Sequence, residues 1–158
     1  MPFDIGSSQA GPGTTISVSS GNVPAGQLAA CGTSLTEVIN YTLNGISYNY
    51  NGLADSLSAI RYDQNQETDI SGSRPNGNAN IRFSFTGAAP TGSKPMYYLT
   101  VWNNGKYYIM AGSPSVNVTE FGAPVNGFIA GNFRGNVKDS ATAAQFPIYC
   151  TFRVRRSN

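Results

Sequence analysis

The sequence predicts an all-β fold: an antiparallel β-sandwich or flattened barrel of about 8–10 strands, with at most one short helix. Three observations support this class. Most segments alternate between apolar and polar residues, as half-buried strands do. Asparagine–glycine pairs, which favour tight hairpin turns, separate some of these segments. Only 11% of the residues are charged and 11% are aromatic, a composition that suits sheets with solvated outer faces.

The first predicted hairpin consists of strands at 37–43 and 46–50. Apolar side chains fall on one face of each strand, and Asn44-Gly45 lies between the two. A type I′ turn needs positive φ at both central residues, and asparagine followed by glycine adopts it readily.

Further segments alternate in the same way and are predicted to be strands. They are 80–85, 96–102, 106–110, 115–121 and 146–156. The segments 96–102 and 106–110 flank Asn103-Asn104-Gly105 and form a second predicted hairpin.

Residues 52–60 are the best candidate for the short helix, because Leu53, Leu57 and Ile60 are spaced by four and three residues. The segment is long enough for two helical turns at most.

Three glycines, Gly127, Gly131 and Gly135, are spaced four residues apart. A membrane helix is excluded because Asn132 and Arg134 would lie in lipid without partners. A phosphate-binding loop would need a following Lys-Ser or Lys-Thr, which the sequence lacks. As a strand, the segment places the glycines on one face among large apolar residues, where each leaves space for an aromatic ring or allows a bend.

The chain fits one domain at 28–158, preceded at 1–27 by a linker or extra N-terminal strand that includes the strand-like segment 14–20. No stretch reaches the ~18–20 apolar residues of a membrane-spanning helix. The N-terminus does not look like a signal peptide, so Met1 is interpreted as an added start on a mature or excised fragment. The composition favours a secreted or cell-surface location, with a cytosolic protein as the alternative.

The two cysteines, Cys31 and Cys150, lie far apart, and the chain has no histidine to complete a zinc site with them. They could form one disulfide or remain two thiols. Cys150 faces inward in the last predicted strand, where a buried, inert thiol is one interpretation.

The lack of histidine also removes the commonest general base and every Ser-His-Asp, Cys-His or His-bound metal site. No two acidic residues lie in a recognisable catalytic context, so we expect no enzymatic activity. A net charge of +2 is too small to indicate nucleic-acid binding.

One acidic cluster places oxygen donors at Asp63, Asn65, Glu67 and Asp69, a spacing similar to that of a calcium loop. The glycine and the final glutamate of such a loop are both missing. A polar loop or strand edge is the favoured interpretation, and we expect no cofactor, with calcium as the alternative.

An aromatic run around 97–108 is the other candidate site. Alternation places Tyr98 and Trp102 on one face and the aliphatic residues between them on the other. With Asn103 and Asn104 beside them, these rings could form a platform on which sugars stack. A core or interface role for the same rings is the favoured alternative.

Three segments, at 30–50, 84–87 and 118–156, also resemble a known module. It is found at the C-terminal end of Bacteroidota surface proteins and lipoproteins, often after carboxypeptidase-regulatory-like repeats. The most specific part is the terminal pattern EFG…GxIxGxFxG…DS…FRVRR. The chain departs from the module at Phe128 and Cys150.

The resemblance implies a secreted β-rich module that follows other β-domains, and it implies no activity. Such bacteria can glycosylate Asp-Ser/Thr-hydrophobic sites. Ser56 and Ser140 lie in sequences of this kind, Asp55-Ser56-Leu57 and Asp139-Ser140-Ala141.

We therefore expect a non-catalytic extracellular domain for surface attachment or for binding a carbohydrate or protein ligand. One alternative is a structural subunit, in which residues 1–27 pair with the next copy and build a filament or lattice. A second is an apolar-ligand carrier, with a cavity in place of a packed core.

Overall fold

The computed structural model describes residues 37–123 and 125–158. These residues form ten strands: β1 (Val38–Leu43), β2 (Ile46–Asn51), β3 (Ser56–Tyr62), β4 (Glu67–Ser73), β5 (Ala79–Thr86), β6 (Gly92–Asn103), β7 (Lys106–Ala111), β8 (Ser115–Phe121), β9 (Phe128–Asp139) and β10 (Gln145–Arg155). No helix occurs in this part of the chain. The predicted all-β class is confirmed.

The strands form one antiparallel sheet in the order β2-β1-β10-β9-β7-β6-β5-β4-β3, and β8 pairs with β6 and β9. The sheet closes into a small barrel with further strands packed outside it. Ala59 of β3 forms a parallel bridge with Arg156, just after β10. The Ser157 amide also donates to the Ala59 carbonyl at 2.8 Å. The C-terminal residues therefore cover the edge of β3.

Both predicted hairpins are confirmed, and each has a two-residue turn. Asn44 and Gly45 have φ of 51° and 80°, and Asn104 and Gly105 have φ of 47° and 78°. These angles lie in the left-handed region that a type I′ turn requires, which asparagine tolerates and glycine favours.

Aromatic rings fill the interior of the barrel. Phe83 of β5 lies edge-on to Phe133 of β9 and Phe152 of β10, with ring centroids 5.0 and 5.1 Å apart. All three side chains are buried. Burying a side chain of this size contributes about 1.5–3 kcal/mol, so these rings are a main source of stability.

The glycine-rich segment forms β9, and its predicted inward face is confirmed, since Ile129 and Phe133 are buried. A Cβ atom on Gly131 would lie 2.4 Å from the Asn117 carbonyl oxygen and 3.0 Å from the Phe152 ring. Glycine at 131 therefore allows both β8 and an aromatic ring to approach β9 closely.

The predicted helix at 52–60 is wrong. Its second half belongs to β3, and Leu53 is fully exposed in the preceding turn. The inward residues of β3 include Ala59 and Arg61, both buried. A buried arginine interrupts the apolar alternation by which a strand is recognised from sequence.

Arg61 is buried because its guanidinium finds hydrogen-bond partners on neighbouring residues. It donates to the Gln66 carbonyl at 2.8 Å and to the Thr68 hydroxyl at 3.2 Å. The guanidinium also lies 5.4 Å from the centroid of the Phe121 ring. These contacts offset the cost of removing the charge from water.

Glu37–Asn158 form one compact unit. The predicted linker at 1–27, its strand-like segment and the start of the predicted domain at 28–36 lie outside the described residues, so that boundary stays a prediction. Within the described ranges, no helix is long and apolar enough to cross a membrane.

Candidate functional site

β6 places Tyr98 and Trp102 on the outer side of the barrel. Leu99 and Val101, on the same strand, are buried, whereas the Tyr98 side chain is exposed and Trp102 half-buried. The predicted alternation along this strand is confirmed, because successive side chains of a strand point to opposite faces.

A β-bulge brings one more tyrosine to the outer side. Ser84 of β5 pairs with Tyr98 and Phe85 pairs with Met96, so Tyr97 is an extra residue on β6. Tyr97 and Tyr98 are both exposed, although strict alternation would turn one of them inward.

Two further tyrosines extend this surface to neighbouring strands. Tyr107 of β7 lies opposite Trp102, with the ring centroids 6.1 Å apart, and Tyr62 is at the outer end of β3. The aromatic face, as we name it, consists of Tyr62, Tyr97, Tyr98, Trp102 and Tyr107. Its four tyrosines are 36–49% exposed, so they are not core residues.

An ion pair lies among these rings. Arg82 of β5 donates from Nε to Oδ1 of Asp69 at 3.1 Å, and the Ser84 hydroxyl donates to the same oxygen at 2.9 Å. The Arg82 guanidinium carbon lies 5.6 Å from the centroid of Tyr98, within the range of a cation–π contact. The hydrogen bond to Asp69 raises the pKa of Arg82, so this cation is permanent.

The hydroxyl of Tyr97 has a raised pKa. Desolvation, followed by the neighbouring Glu67 carboxylate, raises the pKa of Tyr97 to about 12. The hydroxyl therefore keeps its proton at neutral pH and into the alkaline range, next to the Glu67 carboxylate.

The prediction that Asn103 and Asn104 lie beside the rings has to be corrected for Asn103. Asn104 lies in the exposed β6–β7 turn, but Asn103 is buried and points inward, as the residue after outward-facing Trp102 must. Asn103 therefore does not join the aromatic face. Arg82 and Glu67 supply charged groups there instead.

The four predicted calcium ligands do not converge. Asp69 accepts hydrogen bonds from Arg82. Asn65 donates to Glu67 at 2.9 Å, whereas Asp63 accepts from Arg61 at 3.2 Å. Among the described residues, no three acidic, cysteine or histidine side chains are grouped to hold a metal ion. The calcium hypothesis gains no support from this geometry.

Cys150 is a buried free thiol on the inner face of β10. Burial raises the pKa of the Cys150 thiol, so the unreactive protonated form dominates. Cys31 lies outside the described residues, and the disulfide stays a prediction.

Ser56 and Ser140, the predicted glycosylation sites, are both exposed. The aspartates before them are buried and hold turns. Asp55 accepts from the Asn51 amide at 2.9 Å, and Asp139 accepts from the Ala141 amide at 2.8 Å. Glycosylation of the two serines stays a prediction.

Sequence reasoning included Tyr97 and Tyr107 in the aromatic run without assigning them to the exposed face, and it missed Tyr62 and Arg82. The outward direction of Tyr107 could have been derived by counting from the Asn104-Gly105 turn, which places it opposite Trp102. Tyr62 had no such signal, because its strand was assigned to a helix.

Comparison with known protein families, with curated proteins and with solved structures finds no match to this chain. The Bacteroidota module therefore stays a predicted resemblance, and the functional argument rests on the residues themselves.

Proposed function

We propose that this domain is a non-catalytic extracellular module that binds carbohydrate through the aromatic face. The outward display of four tyrosines and one tryptophan on one side of the sheet carries the proposal. Aromatic side chains on rigid strands offer a large contact area at a low cost in conformational entropy.

The chemistry of the aromatic face suits a sugar ring. The C–H groups on one side of a pyranose are weakly positive and pack against the negative face of an aromatic ring. The hydroxyls at the edge of the sugar need hydrogen-bond partners, which the Tyr97 hydroxyl, Arg82 and Glu67 can provide. Because the rings lie on a sheet, little reorganisation is needed and the cost of binding falls.

The chain's side chains support the non-catalytic part of the proposal. There is no histidine, and Asp69, the buried acid among these rings, is already held by Arg82 and Ser84. The low charge content and the predicted resemblance favour an extracellular location.

A protein is the alternative partner, because tyrosine, tryptophan and arginine also dominate the binding energy of protein interfaces. A carbohydrate is favoured because the rings lie on strands of one sheet beside hydrogen-bonding groups. Binding to no glycan, with retention on a protein ligand, would favour the alternative.

The structural-subunit alternative depends on residues 1–27, which lie outside the described residues. One backbone group at each end of the strand order is already bound by this chain, which reduces the edge available to another copy. The Arg74 side chain donates to the Asn49 carbonyl of β2 at 2.8 Å, and the Ser157 amide binds Ala59 of β3. Light scattering on the chain with and without residues 1–27 tests this alternative: assembly that the deletion abolishes would support it.

The carrier alternative requires space inside the barrel. Phe83, Phe133 and Phe152 occupy that interior with buried, interlocking rings, so an apolar ligand would have to displace them. Purified protein that carries bound lipid would revive this alternative.

Affinity gel electrophoresis against soluble neutral β-glucans, xylans, mannans and chitin oligomers tests the leading proposal. We expect at least one glycan to retard the protein, and Trp102→Ala or Tyr98→Ala to weaken that affinity about fivefold or more. Leu53→Ala is the control, because Leu53 is a fully exposed apolar side chain in the turn before β3 and belongs to neither the aromatic face nor β6. Unchanged retardation of Trp102→Ala, or no retardation by any glycan, would overturn the proposal.

A further inference from the structure

A cleft of about 350 Å³ lies on the outer side of β1, β2 and β10, apart from the aromatic face. Five short polar residues and three tyrosines line it: Asn40, Thr42, Ser47, Asn49, Thr151, Tyr41, Tyr48 and Tyr149. None of them carries a charge at neutral pH. Their amides and hydroxyls can donate and accept hydrogen bonds, although most of the exposed surface of the cleft is apolar and can pack against the C–H groups of a sugar.

The polar side chains continue as a row across five neighbouring strands. Asn49 pairs with Asn40, which pairs with Thr151, then Asn132, then Asn117. Four interstrand spacings of ~4.8 Å make this row roughly 19 Å long. In an extended polysaccharide, the distance from one pyranose ring to the next is similar to this interstrand spacing. Successive sugar units can therefore meet successive side chains of the row.

Arg134 adds a positive charge at the edge of the cleft. Its guanidinium carbon lies 4.8 Å from the centroid of the Tyr149 ring. In the described part of the chain, no acidic side chain forms an ion pair with Arg134. The two outward arginines of β10, by contrast, pair with Glu120 and Glu37. Arg134 is therefore available to an anionic ligand, and a guanidinium can bind a carboxylate or sulfate through two hydrogen bonds.

We propose that this cleft is a second binding site, which takes an acidic glycan. The sugar hydroxyls bind the amide and hydroxyl row, and a carboxylate or sulfate of the sugar binds Arg134. Charge complementarity selects an acidic sugar, because a neutral one gains nothing from this cation. The cleft lies on β1, β2 and β10, whereas the aromatic face lies on β3, β6 and β7, so either site can fail without the other.

A matched pair of ligands tests the proposal with the full chain. Oligogalacturonate and its methyl ester have the same ring hydroxyls and differ in charge, and calorimetry at low salt measures both affinities. We expect the acid to bind about tenfold more tightly than the ester. Oligomers of alginate and chondroitin sulfate provide a second uronate and a sulfate, which identifies the preferred anion.

Substitutions locate the site. Arg134→Gln should lower the affinity for the acid to that of the ester, and Arg134→Lys should give an intermediate value. Lys106→Gln makes the same change of charge in the β6–β7 hairpin and should leave both affinities unchanged. Asn40→Ala should weaken acid and ester alike, and thermal melts confirm that each variant is folded.

Three results would overturn the proposal: equal binding of acid and ester, wild-type affinity in Arg134→Gln, or no binding of any of the three acidic glycans. A loss of acid binding in Trp102→Ala would also overturn it, because the ligand would then occupy the aromatic face.

Discussion

Nε of Arg82 on β5 lies 3.1 Å from each carboxylate oxygen of Asp69 on β4. Asp69 is buried while Arg82 is exposed beside Tyr98. The pair therefore links the barrel wall to the aromatic face, and it holds the Arg82 guanidinium in a fixed place beside Tyr98.

Replacing the arginine should leave the Asp69 carboxylate buried without its counter-charge. Arg82→Ala should lower the free energy of unfolding by about 1–3 kcal/mol, measured by urea denaturation. Asp69→Asn should cost less, because an amide can still accept from Ser84 and has no charge to bury. Wild-type stability in Arg82→Ala would contradict this role.

Adding a methyl group to Gly131 should force β8 away from β9. Gly131→Ala should destabilise the domain by about 1–3 kcal/mol, because its Cβ would lie 2.4 Å from a backbone oxygen. Gly135→Ala is the control, since its Cβ would meet the Pro114 side chain at 3.0 Å. Equal losses in the two variants would show that the backbone approach at 131 is not the constraint.

The raised pKa of Tyr97 predicts an alkaline loss of stability. The folded value of about 12 exceeds the ordinary 10.0, so the folded protein holds this proton more tightly than the unfolded chain. This contribution to stability is present below pH 10 and is lost as the pH rises through 12. Tyr97→Phe should show a smaller decrease in urea midpoint over that range, and an identical decrease would contradict the assignment.

The buried Cys150 thiol should resist chemical modification. In a Cys31→Ser variant, Cys150 should react with a thiol reagent many-fold more slowly in the folded state than in urea, because burial raises the pKa of the thiol and blocks access. Non-reducing mass spectrometry of the unsubstituted chain tests the predicted disulfide. A mass lower by two hydrogens, with no free thiol, would show that Cys31 and Cys150 are bridged.

The sequence allowed prediction of the elements whose signals are local. The two hairpins were correct because Asn44-Gly45 and Asn104-Gly105 determine their turns through backbone φ alone. β3 was missed because inward Arg61 depends on distant partners, including the Gly87 carbonyl at 3.4 Å. A window of neighbouring residues contains no sign of such a partner.

The residues of the candidate site also fall into two groups, those with a local sequence signal and those placed by contacts between strands. Tyr98 and Trp102 followed from alternation along one strand, whereas Asn103 was placed on the wrong side because it was assigned to the turn and is in fact the last residue of β6. Tyr97 reaches the surface through a bulge, which depends on how β5 pairs with β6. Pairing between strands is set by the whole barrel and not by either strand's own sequence.

Trp102 is the only tryptophan of the chain, so its fluorescence reports on the aromatic face alone. The most direct test is a fluorescence titration with a neutral oligosaccharide whose binding has been measured by calorimetry. We expect a saturable change in Trp102 emission with the same Kd. Calorimetric binding that leaves the emission unchanged would place the ligand elsewhere and contradict the account.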